Sequence, residues 1–304
     1  MKPILLFAAI AALLPVFVTA NTVLNFAVFT LIVALAAQGW NILGGFGGQY
    51  SFGHAAFFGT GAYAVAILQI RYGVNPYAAF AVGIALGAIV GAAIGAMAFR
   101  AGLRGSYFAL VTLAFAEVFR VLANSSAFTG GAAGLLIPLD VRPENFQFAS
   151  RAGFYWIGLG LVVATLLLSL WLSRSRLGAQ LVAVRENESA ARALGVNVLA
   201  VKLRAIALSA AVTAAAGGFY AQYFLYIDSS IAYGTWISVE ALLAPIIGGA
   251  GTVFGPVMGA ILLHALGEVT RHLFGRIPGV DLMLFGVVLI LVVRYPPRNL
   301  WRRT

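Results

Sequence analysis

The side chains that could do chemistry in this sequence are the few charged and polar residues within long apolar stretches. Glu117 and Arg120 are three residues apart, a spacing at which two side chains on one helix can form an ion pair. A charge at the centre of a bilayer costs about 3 kcal/mol on insertion scales, so it needs a partner or a water-filled cavity. The spacing therefore predicts a mutually neutralised structural pair, with contact to a transported solute as the alternative.

Glu240 and two histidines are the other candidates of this kind. Glu240 has no charged neighbour within one helical turn, so it faces either a polar path or the outer membrane interface. His264 and Glu268 have helical i,i+4 spacing, but two ligands without a third make a poor metal site. His54 follows a glycine-rich stretch, where its ring either makes a packing hydrogen bond or faces a cavity.

The sequence has almost none of the residue patterns that enzymatic catalysis requires. The sequence contains no HExxH or GxSxG motif, and its nine acidic residues are scattered. It also contains no cysteine, which excludes disulfides, thiolate catalysis and cysteine metal sites. We predict no catalytic residue, no metal site and no cofactor bound by this chain.

The composition indicates a membrane protein. Of 304 residues, 62% are hydrophobic and 9% are charged, whereas an ordinary soluble domain is about 25% charged. The apolar runs are long and do not alternate, which favours helices over a β-barrel. The net charge of +10 comes from basic residues between apolar segments, so we expect lipid as a partner and no nucleic acid.

The apolar segments predict an all-α polytopic protein with a single transmembrane domain over residues 1–304. About 20 apolar residues are needed for each crossing of a bilayer. The predicted segments are 4–18, 23–43, 52–70, 77–98, 106–124, 153–173, 205–227, 237–249, 253–271 and 281–294. The segments at 237–249 and 281–294 are short for a full crossing, so we expect about eight to ten transmembrane helices.

Charge predicts the orientation of these helices. Lys and Arg accumulate in short cytoplasmic loops, and most basic residues here fall on one side if both termini are cytoplasmic. The first segment has a competing interpretation as a signal peptide cleaved near residue 20. Its removal would leave the later orientations unchanged.

Two loops are long enough to have functions of their own. Residues 125–152 are rich in glycine and proline and are predicted to form an external loop. Residues 174–204, which we call the coupling loop, are predicted to be cytoplasmic and helical. One helical stripe there would contain Leu181, Val184, Ala191 and Leu194.

Further features support a helix in the coupling loop. Glu188 and Arg192 form an i,i+4 pair, and Gly195 is placed to end the helix in a left-handed conformation. A second helical run from Val198 leads into the next span. From the pattern alone, this loop either docks a soluble partner or lies on anionic lipid.

Glycine-rich segments interrupt the apolar pattern twice. Residues 44–53 and 248–259 are predicted to be broken helices that line a transport path, or alternatively sites of close helix packing through small residues. Neither is a phosphate-binding loop, because no GK[ST] sequence follows. The residues predicted to line the path are Gly47, Gln49, Ser51, His54, Glu117, Glu240, Gly249 and Gly251.

Several of these motifs resemble one transporter family. The pattern of Glu188, Ala190, Ala191 and Gly195 resembles the EAA signature of ABC-importer permeases. The stretches RENESAARALGVN, NILGGFGGQYSFGHAAFFGTGAY and GGAGTVFGPVMGAILLHAL are similar to LivM-type branched-chain amino-acid permeases. The resemblance extends over residues 38–270 and keeps the expected order of motifs.

This resemblance implies a non-enzymatic transport subunit of a bacterial inner membrane. It implies two cytoplasmic ATPase subunits that bind ATP and Mg, a second homologous permease and an external substrate-binding protein. The implied ATPase-coupling residues are Arg185, Glu186, Glu188, Ala190, Ala191, Arg192 and Gly195.

The resemblance also limits the classes of substrate that we expect. It implies leucine, isoleucine, valine or a related amino acid, while permeases for urea, amides or aromatic amino acids share these motifs. Outside this family, the alternatives are an ion-coupled secondary transporter that uses Glu117 or Glu240, and a membrane scaffold without transport activity.

Overall fold

The chain folds into a bundle of helices joined by turns and by one long loop between α6 and α7. The computed structural model describes residues 2–18 and 20–274, together with positions 283, 286, 287 and 290. The helices are α1 Lys2–Ala12, α2 Leu14–Phe17, α3 Asn21–Trp40, α4 His54–Tyr72, α5 Pro76–Arg100, α6 Gly105–Ser125, α7 Arg151–Arg174, α8 Arg176–Glu186, α9 Glu188–Ala193, α10 Val198–Phe224, α11 Ser229–Ala232, α12 Thr235–Gly248 and α13 Gly255–Phe274. Two short strands, β1 Leu135–Leu136 and β2 Tyr226–Ile227, pair antiparallel.

The helices confirm the predicted all-α polytopic class. In the described part of the chain, six helical stretches are long and apolar enough to cross a membrane. They are Asn21–Phe46, Pro76–Arg100, Gly105–Ser125, Arg151–Arg174, Val198–Phe224 and Ser229–Gly248. Lys2–Phe17 and Gly255–Thr270 are shorter apolar helices.

Each apolar segment predicted up to residue 271 coincides with a helix. The last predicted segment, 281–294, lies outside the described residues apart from the isolated positions. The total of eight to ten crossings therefore stays a prediction.

Helix α10 lies at the centre of the bundle and packs against α3, α4 and α5. Its contact with α5 depends on glycines four residues apart. A Cβ at Gly87 or Gly91 would overlap the methyl groups of Ala214 and Ala210 on α10. In a membrane, such small residues allow helix backbones to approach closely without a hydrophobic driving force.

Contacts between loops show that successive spans run in opposite directions. At one end, which we call the loop end, Arg71 Nη2 donates to the Ala127 carbonyl at 2.8 Å and Tyr77 Oη donates to the Pro143 carbonyl at 2.6 Å. Arg104 and Glu188 meet at the opposite end, which we call the basic end. The basic end carries Arg100, Arg104, Arg174, Arg176, Arg185, Arg192, Lys202 and Arg204.

This distribution matches the predicted charge bias, with the coupling loop and the loop at 125–152 at opposite ends. Lys and Arg favour the cytoplasmic side, which supports a cytoplasmic basic end. The orientation itself stays a prediction.

The loop at 125–152 is folded, with helical turns and the short sheet. Arg142 bonds both carboxylate oxygens of Asp140, and Asn145 donates to the same carboxylate at 2.8 Å. This hydrogen bonding lowers the pKa of the Asp140 carboxyl below its ordinary value. Gln147 fastens the loop by bonding the Asp140 N–H and the Pro138 carbonyl, both at 2.9 Å.

Candidate functional site

The first glycine-rich segment is a break between two helices, as predicted. Helix α3 widens into a π-helical turn at Asn41–Phe46, and α4 begins at His54. Between them, the Trp40 indole donates to the Ser51 carbonyl at 2.9 Å, and the Ser51 hydroxyl accepts from the Gly53 N–H at 3.2 Å. The non-helical backbone is thus satisfied inside the protein, which is the condition for such a break at membrane depth.

The second break directly contacts the first. It lies between α12 and α13, where Gly249 (φ 108°) and Gly251 (φ 78°) adopt backbone conformations that favour glycine. The Asn41 side chain accepts from the Gly251 N–H at 2.7 Å and donates to the Thr252 carbonyl at 2.9 Å. The two segments predicted separately from the sequence therefore form one joint at the basic end.

A second amide reinforces this joint. Gln38 donates to the Val253 carbonyl at 2.9 Å and accepts from the Ser169 hydroxyl of α7 at 2.9 Å. Gln38 and Asn41 are fully buried on the same turn of α3. The predicted path did not include these two residues, although two amides among apolar residues before a glycine-rich stretch were a usable signal.

The coupling loop contacts the joint through Arg185 at the end of α8. Its guanidinium donates to the Gly45 carbonyl at 2.9 Å and also bonds Glu186 at 2.8 Å. The Arg185 side chain also occupies the position that a Cβ on Gly48 would take. The loop is therefore bonded directly to the unwound backbone of the first break.

The coupling loop is helical, but the prediction of one continuous stripe was wrong. Helix α8 ends at Glu186, and the extended Asn187 begins α9 by accepting from the Ala190 N–H at 3.0 Å. Asparagine is a favoured N-cap because its side chain satisfies a free N–H at a helix start. This change of direction buries Leu181, Val184 and Ala191 but leaves Leu194 85% exposed.

Other predictions for this loop are confirmed. Gly195 has φ 83°, the left-handed conformation that ends a helix. Arg192 donates to Glu188 at 3.1 Å across one turn. Helix α10 begins at Val198 and continues through the next span.

Glu188 is at the centre of a cluster of cations. Its carboxylate lies 3.1 Å from Arg104, 3.1 Å from Arg192 and 2.8 Å from Lys202. Sequence analysis predicted only the Arg192 contact. The other two join residues distant along the chain, which sequence spacing does not reveal.

His54 makes the hydrogen bond expected of a packed histidine. Its Nε2 lies 2.9 Å from the Ser209 hydroxyl of α10, and its ring is fully buried. Within the described residues its Nδ1 has no partner. One ring nitrogen is therefore buried without a hydrogen bond there, and its role in a path is still a prediction.

Glu240 has an ionisable neighbour in space, His264, although it has no charged residue near it along its own helix. Its carboxylate lies 3.4 Å from Nε2 of His264 on α13, and Nδ1 of His264 lies 3.1 Å from the Thr30 hydroxyl on α3. His264 thus contacts Glu240 on another helix, and Glu268 follows it by one turn on its own helix. This chain of contacts ties α12 and α13 to α3.

Glu117 and Arg120 form the predicted pair. Nε and Nη2 of Arg120 donate to the Glu117 carboxylate at 2.9 and 2.5 Å. Both side chains are exposed on α6, away from the joint at the basic end. The structure thus groups Gly47, Gln49, Ser51, Gly249 and Gly251 around the two breaks and separates Glu117 and Glu240 from them.

No group of three or more potential metal ligands is found among the described residues. The buried side chains that link the two breaks to each other and to α7 are the Gln38 and Asn41 amides and the Ser169 hydroxyl. The arrangement instead connects a surface loop mechanically to two helix breaks.

Comparisons with known proteins agree on the kind of protein. The family described as "Branched-chain amino acid transport system / permease component" matches residues 22–293. The high-affinity branched-chain amino acid transport system permease protein LivM of Escherichia coli (strain K12) is 29% identical, over 94% of this chain and 71% of LivM. No solved structure matches this chain significantly.

Two further relatives show the range of the similarity. The high-affinity branched-chain amino acid transport system permease protein BraD of Pseudomonas aeruginosa is 27% identical over 89% of this chain and 91% of its own. The ribose import permease protein RbsC of Escherichia coli (strain K12) is 26% identical over 95% of this chain and 90% of its own. Because the family match covers most of the sequence and the fold is an all-α polytopic bundle, the chain belongs to the family of permease components of branched-chain amino acid transport systems.

Proposed function

We propose that this chain is the membrane-spanning subunit of an ABC importer that takes up branched-chain or closely related amino acids. The observation that carries the proposal is the bond from Arg185 to the Gly45 carbonyl, which joins the coupling loop to the glycine-rich joint. A surface loop bonded to broken helices is suited to convert the movement of a soluble partner into the opening of a path. Family membership supplies the class of transporter.

The mechanism proceeds from the coupling loop inward. Two cytoplasmic ATPase subunits, which carry ATP and Mg, dock on residues 174–204 and approach each other when nucleotide binds. Their movement displaces α8 and α9, and Arg185 transmits it to the first break. Asn41 carries it on to the second break, because Asn41 lies in the first break and its amide bonds Gly251 and Thr252.

The path opens where the breaks separate. Gly47, Gln49, Ser51, Gly249 and Gly251 then expose backbone N–H and carbonyl groups, which suit the ammonium and carboxylate of an amino acid. The free Nδ1 of His54 lies at the start of α4, next to this region. Glu117 and Glu240 remain secondary candidates for the path because neither contacts the joint in this structure.

The remaining partners follow from the family. A second, homologous permease completes the path, and an external binding protein delivers substrate at the loop end. The site of action is the bacterial inner membrane, where lipid surrounds the apolar helices.

Amino acids are favoured as substrate over a sugar. LivM and BraD are named for branched-chain amino acids, while RbsC, named for ribose, is slightly less identical to this chain. Such importers obtain much of their selectivity from the binding protein, so urea, amides and aromatic amino acids are the nearest competing substrates.

The test is uptake into proteoliposomes containing this permease, the products of its neighbouring permease and ATPase genes, and the binding protein. We expect accumulation of radiolabelled leucine that requires ATP and stops with a hydrolysis-deficient ATPase. Uptake of ribose instead of leucine would contradict the substrate. Leucine uptake driven by a proton gradient without the ATPases would contradict the ABC mechanism and favour an ion-coupled transporter.

A further inference from the structure

The Glu188 side chain is largely buried and surrounded by cations of the same chain. Only 15% of its side chain is exposed, and both carboxylate oxygens are occupied by cations. Oε1 forms an ion pair with Arg104 and accepts a hydrogen bond from Arg192, and Oε2 accepts one from Lys202. A carboxylate engaged in this way has little capacity left to bind a partner protein.

Lys202 fixes the position of this carboxylate. It lies on the first turns of α10, its side chain is 4% exposed, and its ammonium is 5.3 Å from the centroid of the Phe99 ring on α5. A buried ammonium requires a carboxylate partner. Glu188 is therefore held at the junction of α5, α9 and α10.

Arg104 extends the cluster to the start of α6. It is the residue immediately before α6 and lies between Gly102 (φ 72°) and Gly105 (φ 53°). Within the described residues, the Arg104–Glu188 ion pair is the one hydrogen bond or ion pair between the coupling loop and residues 101–125. Two left-handed glycines beside it allow this short turn to change direction easily.

Helix α6 is placed to respond to such a connection. Only 28% of the residues in its apolar stretch are buried, compared with 78% in the stretch Asn21–Phe46, which contains α3. A peripheral helix with a glycine-flanked start can move with less loss of packing than a central one.

We propose that Glu188 is a positioning residue that transmits movement of the coupling loop to α6 through Arg104, and that it does not itself contact the ATPase. Lys202 holds the carboxylate in place for this role. The exposed side of the loop, where Leu194 projects, is left for the ATPase. This inference rests on the proposed function, because it assumes an ATPase that moves the loop.

The test uses Arg104→Gln in the full reconstituted transporter. The Arg104 side chain is 55% exposed, so its replacement should leave the fold intact. We expect ATPase co-purification and ATP hydrolysis at wild-type levels, with the amount of leucine taken up per ATP reduced about tenfold. Arg104→Lys keeps the cation and should restore most of this ratio.

Two matched variants separate transmission from docking. Arg100→Gln removes an exposed cation from the same end of the bundle, but Arg100 ends α5 and lies outside the coupling loop, so the ratio of uptake to hydrolysis should be unchanged. Leu194→Ser should reduce ATPase co-purification without changing that ratio in the complex that remains.

Failure of this inference can be distinguished from failure of the proposed function. An unchanged ratio in Arg104→Gln would overturn the proposal, and so would a loss of ATPase binding equal to that of Leu194→Ser. If the wild-type permease transported leucine without any ATPase, the proposed function would fail before the variants were compared.

Discussion

The side chain of Asn41 accepts a 2.7 Å hydrogen bond from the backbone N–H of Gly251, across 210 residues of sequence. This bond, with the one from Asn41 to the Thr252 carbonyl, makes the two glycine-rich breaks a single structural unit. Broken helices in transporters are tolerated where other groups satisfy their free backbone. Here an amide from the first break satisfies two backbone groups of the second, so we expect the two breaks to move together.

Replacing Asn41 should therefore damage both stability and transport. Asn41→Ala leaves a backbone donor and a backbone acceptor unpaired, which should lower the free energy of unfolding by about 2 kcal/mol or more. The melting temperature of the purified permease measures this effect. Equal melting temperatures for wild type and Asn41→Ala would show that the joint contributes no stability.

Glu188 and Lys202 should show strong coupling in a double-mutant cycle. Glu188→Gln leaves the Lys202 ammonium buried without its carboxylate, which should cost about 3 kcal/mol because an uncompensated buried charge is expensive. Glu188→Gln combined with Lys202→Met removes both charges and should regain much of this loss. The measurement is thermal unfolding of the four proteins in detergent. Additive effects would mean that the two side chains do not interact in solution.

The helices were predicted from the sequence more accurately than the contacts between them. The long apolar runs determine the helices, because few polar groups interrupt them, and Gly195 and His54 mark a helix end and a helix start as expected. The stripe from Leu181 to Leu194 was wrong because Asn187 is a strong N-cap that starts a new helix, and a continuous 3.6-residue period cannot represent that change of direction.

Contacts between distant segments were beyond sequence reasoning. Helical spacing finds the Glu188–Arg192 pair, since both residues lie on one turn, but it cannot find Lys202 or Arg104. The same limit applies to Glu240, which lacks a charged neighbour along its helix and meets His264 across the bundle. These contacts depend on how the helices pack, and a single sequence does not encode that packing in any local pattern.

The Asp140–Arg142 pair predicts a pH-dependent loop. The folded-state pKa of Asp140 lies below its ordinary value of 3.8, so its pairing stabilises the loop above that pH. This stabilisation should be lost as the pH falls through the lower folded-state pKa. Hydrogen exchange of residues 138–147, corrected for the intrinsic effect of pH, should show protection at neutral pH that declines in acid. Asp140→Asn should have weaker protection at neutral pH and no such decline, and an identical acid profile in this variant would exclude Asp140 as the titrating group.

Glu117 and Arg120 should behave as a neutralised pair. Either Glu117→Gln or Arg120→Gln alone leaves one charge on an exposed face of α6, at a cost of about 3 kcal/mol at the bilayer centre. The double variant removes both charges and should insert as well as wild type, with an unchanged KM for leucine uptake. Membrane yield and uptake kinetics measure the two effects. A double variant with normal yield and a raised KM would instead identify the pair as a contact for the solute.

Arg185 provides the most direct test of coupling between the loop and the joint. Arg185→Gln removes the bond to the Gly45 carbonyl, and it should reduce leucine uptake about fivefold while ATPase binding persists. The matched control is Arg100→Gln at the end of α5, which removes an exposed positive charge from the same end of the bundle outside residues 174–204. Transport and ATPase co-purification should both stay at wild-type levels in that control. If the two variants had equal transport rates, force would have to reach the breaks by another route, most directly through the continuous backbone of α10.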